Sequence, residues 1–218
     1  MFFAKELETE LDDPGVAEKG VGALRLMIER GWLNESIILD GSLFHNCARV
    51  SEFKNADPKI MSTEINLLNK MGVNIVKKKT YLVVSRTKKL KSANVTTKPY
   101  PGFPTDLQAQ IMVLMIRANG ISTIKENIFE NRFMHVSELR RMGAQIEIKG
   151  SKAKIFGKSK LNGAELMATD LRASVSLVLA GLVPSNRTVV NRIYHLDRGY
   201  EKIEKKLSRC GAQIQRLK

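Results

Sequence analysis

Residues 139–146 read Leu139-Arg140-Arg141-Met142-Gly143-Ala144-Gln145-Ile146, and the same pattern occurs twice more. It appears as Leu67-Leu68-Asn69-Lys70-Met71-Gly72-Val73-Asn74-Ile75 and as Leu207-Ser208-Arg209-Cys210-Gly211-Ala212-Gln213-Ile214. Each copy reads as the last turn of a helix, a glycine and the start of a strand. Glycine is expected just past a helix end because it has no Cβ to clash in the left-handed region. The glycines stand 71 and 68 residues apart, which makes the chain a tandem array rather than one irregular domain.

A second pattern runs in step with the first. Thr105-Asp106-Leu107-Gln108-Ala109 and Thr169-Asp170-Leu171-Arg172-Ala173 lie 64 residues apart, and each opens an apolar segment, Ile111 to Ile116 and Val175 to Val183. Thr or Asp at a helix start can accept from a free backbone N–H and suits the positive end of the dipole, and Pro104 upstream is a helix-entry signal. Both helices are apolar nearly all round, so they must be buried on every side. Short strand-like runs surround them: Ile121 to Ile124, Ile146 to Ile148, Ala153 to Phe156 and Thr188 to Val190. The expected fold is therefore α/β, with sheets wrapped around buried helices rather than helices outside a sheet. The offsets place an earlier Thr-Asp element near residues 36–42, where only Asp40 offers a match. Residues 1–50 are left unassigned, as a diverged or truncated partial repeat, and the repeat domain is expected over 51–218.

The chain has 218 residues, 43% of them hydrophobic, which is enough for a packed core. No run reaches the ~20 apolar residues that span a bilayer, and Met1 to Asp13 is acidic, unlike a signal peptide. Two distant cysteines, Cys47 and Cys210, make a poor disulfide framework and point to a reducing cytoplasm. The net charge of +14 admits a Lys-rich solvated surface, a site for a multiply anionic small molecule, or a nucleic-acid partner. The densest basic run, Lys77 to Lys91, has neither an aromatic ladder nor zinc-ligand spacing.

Four polar clusters fall at element ends. In Tyr100-Pro101-Gly102-Phe103-Pro104-Thr105-Asp106, Asp106 is either a helix cap or a carboxylate aimed at a ligand hydroxyl. In Asn127-Ile128-Phe129-Glu130-Asn131-Arg132-Phe133-Met134-His135, the charges either form a salt bridge over inward-packed Phe129 and Phe133, or Arg132 is a phosphate fork and Glu130 an acid that moves or orients a proton. Asp170 and Arg172 at the mouth of an apolar helix are costly unless paired or ligated. In Arg192 to Glu201, Asp197 and Arg198 read alone as a structural pair. His135 and His195 lack Cys or Asp partners at metal spacing, so no metal is expected. No Gly-rich phosphate loop or nucleophile elbow is present, and no cofactor is expected.

In this order, the strings Pro-Gly-Phe-Pro-Thr-Asp-Leu-Gln-Ala-Gln at 101–110, Ile-Phe-Glu-Asn-Arg-Phe-Met-His at 128–135, Met-Ala-Thr-Asp-Leu-Arg-Ala-Ser at 167–174 and Tyr-His-Leu-Asp-Arg-Gly-Tyr-Glu at 194–201 resemble the C-terminal half of the UDP-N-acetylglucosamine enolpyruvyl transferases. The sister enzymes that use shikimate 3-phosphate share the repeat fold but not these strings. The resemblance runs from about Asn55 to the end. It implies an inside-out barrel of βαβαββ-type repeats with buried helices, about two and a half of them here. It implies transfer of the enolpyruvyl group from phosphoenolpyruvate to the sugar 3-hydroxyl, with release of phosphate, in peptidoglycan synthesis in the cytoplasm.

By the same resemblance, Asp106 binds the sugar hydroxyl and acts as its base. Ile128 contacts UDP-N-acetylglucosamine through its backbone, with Phe129 beside it. Arg132, Arg172 and Arg198 hold the phosphate or carboxylate of phosphoenolpyruvate, while Glu130 and Asp170 are the acids that orient these groups. Arginine suits the task, because its fork meets phosphate bidentately and stays charged. The family's other domain carries a mobile cysteine loop and a Lys-Asn pair that this sequence does not match. Cys47, in Phe44-His45-Asn46-Cys47-Ala48-Arg49, is unlike that loop, and Cys210 occupies the repeat position of Met71 and Met142, which reads as core. A separate N-terminal half is the partner this implies, with no membrane and no nucleic acid; a basic nucleic-acid-binding module or an inactive remnant are the alternatives.

Overall fold

The computed structural model describes residues 36–40, 50–54, 58–79, 81–85, 89–209 and 212–217. The elements run β1 (Ser36–Asp40), β2 (Val50–Lys54), α1 (Ser62–Lys70), β3 (Asn74–Lys77), β4 (Tyr81–Ser85), β5 (Asn94–Thr96), α2 (Gln108–Arg117), β6 (Ile121–Lys125), α3 (Val136–Arg141), β7 (Gln145–Lys149), β8 (Lys152–Phe156), β9 (Glu165–Met167), α4 (Leu171–Gly181), β10 (Arg187–Asn191), α5 (Tyr194–Asp197), α6 (Ile203–Arg209) and β11 (Gln213–Leu217).

The repeat is visible in the way the strands pair. One sheet has the order β5-β6-β8-β7, with β5 parallel to β6 and the other two pairings antiparallel. A second has the order β9-β10-β1-β11, again with one parallel pair followed by two antiparallel pairs. The two sheets superimpose strand for strand in topology, so β1 fills in the second sheet the place that β8 fills in the first. The third sheet, β2-β4-β3, matches the last three strands of that order. Residues 36–40 are thus a strand closing a later repeat's sheet, not the helix start that the offsets suggested. The order of elements in the full unit, β5 to β8, is βαβαββ, as the resemblance implies.

The helix ends behave as the glycine pattern requires. Val73 N–H donates to Leu68 O, Ala144 N–H to Leu139 O and Ala212 N–H to Leu207 O, each at 3.0 Å, closing the same six-residue turn three times. Gly72 and Gly143 have φ of +89° and +98°, where a side chain would be strained. Gly211 and both cysteines lie outside the described residues, so the reading of Cys210 as core is not addressed.

Helices α2 and α4 are the centre of the core. Along α2 only Leu114 and Arg117 are not buried, and in α4 Ala173–Val178, Ala180 and Gly181 are all buried. The two helices pack on each other. Met112, Met115, Ile116, Val175, Leu177 and Val178 join Ile124, Leu139, Met142, Ile155 and Leu166 from the surrounding elements in one hydrophobic cluster. Each such side chain contributes roughly 1.5–3 kcal/mol on burial, which is why short helices of indifferent propensity are stable here. Among the described residues, no helix is long and apolar enough to cross a membrane.

Candidate active site

The N-termini of α2 and α4 open on the same cavity. It encloses about 230 Å³ and is lined by Thr105, Gln108 and Ala109 from the start of α2, and by Asp170, Arg172 and Ala173 from the start of α4. Glu130, Asn131, Arg132, Met134 and His135 complete it from the 126–135 loop. A larger, more open cavity of about 920 Å³ adjoins it. The two share Glu130, Asn131, Arg132 and Met134, and Ile128 and Phe129 line the larger one.

Asp170 caps α4: its Oδ1 accepts from the N–H groups of Arg172 (2.8 Å) and Ala173 (3.0 Å). Asp106 does not cap. Thr105–Leu107 forms a 3₁₀ turn ahead of α2 without a side-chain cap bond, and Asp106 Oδ1 instead accepts from Arg172 Nε at 2.5 Å. The capping reading of Asp106 is therefore replaced by a cross-repeat ion pair. Both partners remain partly open to solvent, so the pair contributes little to stability and is available to a ligand.

Phe129 is not packed inward but is half-exposed, with Arg132 Cζ 4.1 Å above its ring. Phe133 is the one that packs against the core. The loop between them turns at Asn131, whose φ of +53° suits an asparagine. Asp197 does not pair with Arg198. It is fully buried and forms a fork with Arg216 of β11, Oδ1 to Nη2 at 2.5 Å and Oδ2 to Nη1 at 2.9 Å. Arg198 is exposed on the following turn. A Cβ on Gly199 would lie 2.3 Å from Leu171 Cδ1, so this turn sits directly against the first residue of α4. Arg198 lines neither cavity.

The structure thus gathers Glu130, Arg132, Asp170 and Arg172 around one cavity, joins Asp106 to it through Arg172, places Ile128 and Phe129 in the adjoining one, and sets Arg198 on a neighbouring turn. Sequence reasoning missed Glu126. It is buried, and its Oε1 accepts from Thr97 Oγ1 (2.7 Å) and from the N–H groups of Ile128 (2.9 Å) and Phe129 (3.3 Å). Its Oε2 accepts from Thr105 Oγ1 at 2.8 Å. The signal was available: strand alternation puts Ser122, Ile124 and then Glu126 on the inward face.

His135 is also buried, and its Nε2 has no hydrogen-bond partner. Burial pulls its pKa down from 6.5 to about 4, against the opposing pull of Asp170, so the ring is neutral near pH 7. Below pH 6.5 the unfolded chain takes up a proton that the folded one refuses. Stability is then lost as pH falls from 6.5 towards 4, on the order of 3 kcal/mol in all. His135→Gln is expected to remove that slope. Parallel urea titrations of both proteins at pH 7.5, 5.5 and 4.5 check it, and an unchanged slope in the variant would refute it. No group of three or more His, Cys, Asp or Glu side chains able to hold a metal occurs among the described residues.

The family model described as EPSP synthase (3-phosphoshikimate 1-carboxyvinyltransferase) matches residues 48–207. The chain belongs to this family. Curated relatives of the EPSP synthase family chain include a UDP-N-acetylglucosamine 1-carboxyvinyltransferase of Pelagibacter ubique, 63% identical over 161 residues, covering 74% of this chain and 39% of the relative. UDP-N-acetylglucosamine 1-carboxyvinyltransferase 2 of Mesorhizobium japonicum is 47% identical and covers 97% of this chain and 53% of its own length. The chain thus spans about half or less of the relatives it matches. Among solved structures, the enolpyruvyl transferase NikO from Streptomyces tendae aligns with a TM-score of 0.70 at 24% identity, over 93% of this chain and 44% of that one. EPSP synthase from Acinetobacter baumannii aligns with a TM-score of 0.65 at 16% identity, over 82% of this chain and 44% of that one. These two establish the enolpyruvyl-transferase fold.

Proposed function

We propose that this chain forms one wall of an active site that transfers the enolpyruvyl group of phosphoenolpyruvate to the 3-hydroxyl of UDP-N-acetylglucosamine, a step of bacterial cell-wall synthesis in the cytoplasm. The observation that carries the reading is the convergence of two buried helix N-termini, a carboxylate and the guanidinium groups of Arg132 and Arg172 on one small cavity. Helix N-termini favour anions, and guanidinium groups bind phosphate and carboxylate as forks. Residues of three of the four motif strings line this cavity, and the fourth lies on the turn that sits against Leu171.

The chemistry asks for a base at the hydroxyl, cations for two anionic substrates and an acid for the methylene carbon. Asp106, once an incoming anion draws Arg172 away, accepts the hydroxyl proton as the sugar oxygen attacks C2 of phosphoenolpyruvate. The cysteine of the second half, by the resemblance, donates a proton to the methylene carbon, giving a tetrahedral ketal. Phosphate then leaves as a methyl proton returns to a base of the site, which restores the double bond on the product. Arg132, Arg172 and Arg198 hold the phosphate and carboxylate, and Glu130 and Asp170 orient those groups. Because Glu126 occupies the N–H groups of Ile128 and Phe129, a backbone contact from Ile128 to the sugar nucleotide goes through its carbonyl oxygen. A second half bearing the cysteine loop supplies the opposite wall.

UDP-N-acetylglucosamine titrated into the chain should shift the backbone amide resonances of residues 126–135. Asp106→Asn should weaken that binding about tenfold, as expected for a lost charged acceptor. Phosphate release from phosphoenolpyruvate, measured on the chain alone and mixed with the N-terminal half of the Pelagibacter relative, reports turnover. If about 1 mM sugar nucleotide shifts none of these amides, a saturating concentration for such sites, the reading fails.

A further inference from the structure

We infer that Glu126 is a positioning residue of this site, a buried carboxylate that clamps the segments carrying Asp106 and Ile128–Phe129 at a fixed spacing; the inference rests on the enolpyruvyl-transfer reading for its ligand. Four donors converge on this one side chain, and they come from three places. Thr97 follows β5, Thr105 opens the turn into α2, and the N–H groups of Ile128 and Phe129 begin the loop that lines both cavities. Thr97 is itself tied to the same loop, because its Oγ1 accepts from Asn127 N–H at 2.9 Å.

A carboxylate this buried is costly unless its lone pairs are filled, and each oxygen here has a partner. Occupying it with hydroxyls and backbone N–H groups, rather than with a cation, makes the cluster directional. Each bond fixes one segment relative to the others. Thr105 is the residue before Asp106, and Asp106 is bonded to Arg172 of the next repeat. The line Glu126–Thr105–Asp106–Arg172 therefore connects the loop wall of the cleft to both helix N-termini. With Glu126 removed, nothing else in this cluster holds Thr105 to the loop, and the acceptor meant for the sugar hydroxyl loses its register with the backbone meant for the same ligand. A misplacement of this kind is enough to cost binding and rate without touching substrate.

The test separates positioning from simple stability. Glu126→Ala removes all four acceptor contacts. Glu126→Gln keeps a carbonyl oxygen for Thr97, Ile128 and Phe129, and its amide can donate to a turned Thr105 hydroxyl. Titration of UDP-N-acetylglucosamine should give a Kd at least tenfold weaker for Glu126→Ala and within about twofold of wild type for Glu126→Gln. Leu161→Ala, a core truncation outside both cavities, serves as the destabilised control and should bind like wild type. Should Glu126→Ala fail to fold, Thr105→Val, which keeps the β-branched shape, should weaken binding at least threefold. Wild-type affinity in Glu126→Ala, or equal loss in Leu161→Ala, overturns the inference. If the wild-type chain binds no sugar nucleotide, the functional reading falls by itself. The clamp is then judged on amide hydrogen exchange at Ile128 and Phe129, which should quicken at least tenfold in Glu126→Ala; unchanged exchange overturns it.

Discussion

Asp197→Ala is expected to destabilise the chain by about 3–5 kcal/mol, a loss of at least a hundredfold in the folding equilibrium. Asp197 is fully buried at the end of the short helix α5, and it takes both Nη atoms of Arg216 in a planar fork. The hydrogen bond to Asp197 is the main reason the Arg216 pKa lies above its ordinary value; Glu204, with Oε2 3.3 Å from Nη2, adds to it. Truncating Asp197 takes away the carboxylate with the shorter contacts and leaves a cavity beside a guanidinium that is only 18% exposed. Glu204→Ala should cost far less, about 1 kcal/mol, because the main fork survives. Urea unfolding gives both values, read as shifts in midpoint at constant slope. Equal losses in the two variants would show that the fork is not what holds α5 to β11. Since the next residue is Arg198, the same substitution should also disturb the turn that sits against Leu171.

Gly157→Ala should cost about 3 kcal/mol or more, for a reason that has nothing to do with charge. A Cβ at this position would stand 2.0 Å from Ala118 O and 2.6 Å from Gly120 O, both backbone atoms that cannot swing aside. Gly157 N–H also donates to Gly120 O at 3.0 Å, so moving the strand end to relieve the clash breaks the bond that joins it to the turn between α2 and β6. Gly150→Ala is the control. No atom lies within 4 Å of its Cβ position, but its φ is +55°, so the expected cost is only the backbone strain of about 1–2 kcal/mol. Thermal unfolding of the two variants should rank them in that order, and a Gly157→Ala protein as stable as Gly150→Ala would contradict the close approach.

How much of this could be read from the chain depended on the range of the signal. The buried helices were legible because all-round apolarity has one physical solution, and the repeat glycines were legible because a helix end with a positive φ selects one residue type. Strand β1 was not. Ser36–Asp40 carries no local mark of the sheet it joins, and its role appears only when β10 and β11 are seen on either side of it. Of the motif residues, Glu130, Arg132, Asp170 and Arg172 line one cavity, and Arg198 lies on the adjacent turn. Their partners were harder to foresee. Asp106 has a capping residue's sequence context, but a side chain 66 positions later won the competition for its carboxylate. The natural guess of an Asp197–Arg198 pair failed because adjacent residues on a helical turn point apart, while Arg216 across the sheet faces Asp197 directly. Glu126 is hard to single out in the sequence because the charged loop that follows masks the inward phase of the strand before it.

The position of β1 bears on how the molecule is made. This strand is made well before its two neighbours, the residues at 187–190 and 213–217, which follow it by about 150–180 positions. The β5–β8 unit has its strands within its own span and can assemble while synthesis continues. The sheet that carries the turn of Arg198 cannot be stitched shut until Gln213–Leu217 has emerged. Until β11 arrives, β1 presents an unpaired edge, so the growing chain should be most prone to misassociation in that interval, and chaperone capture should concentrate on this sheet.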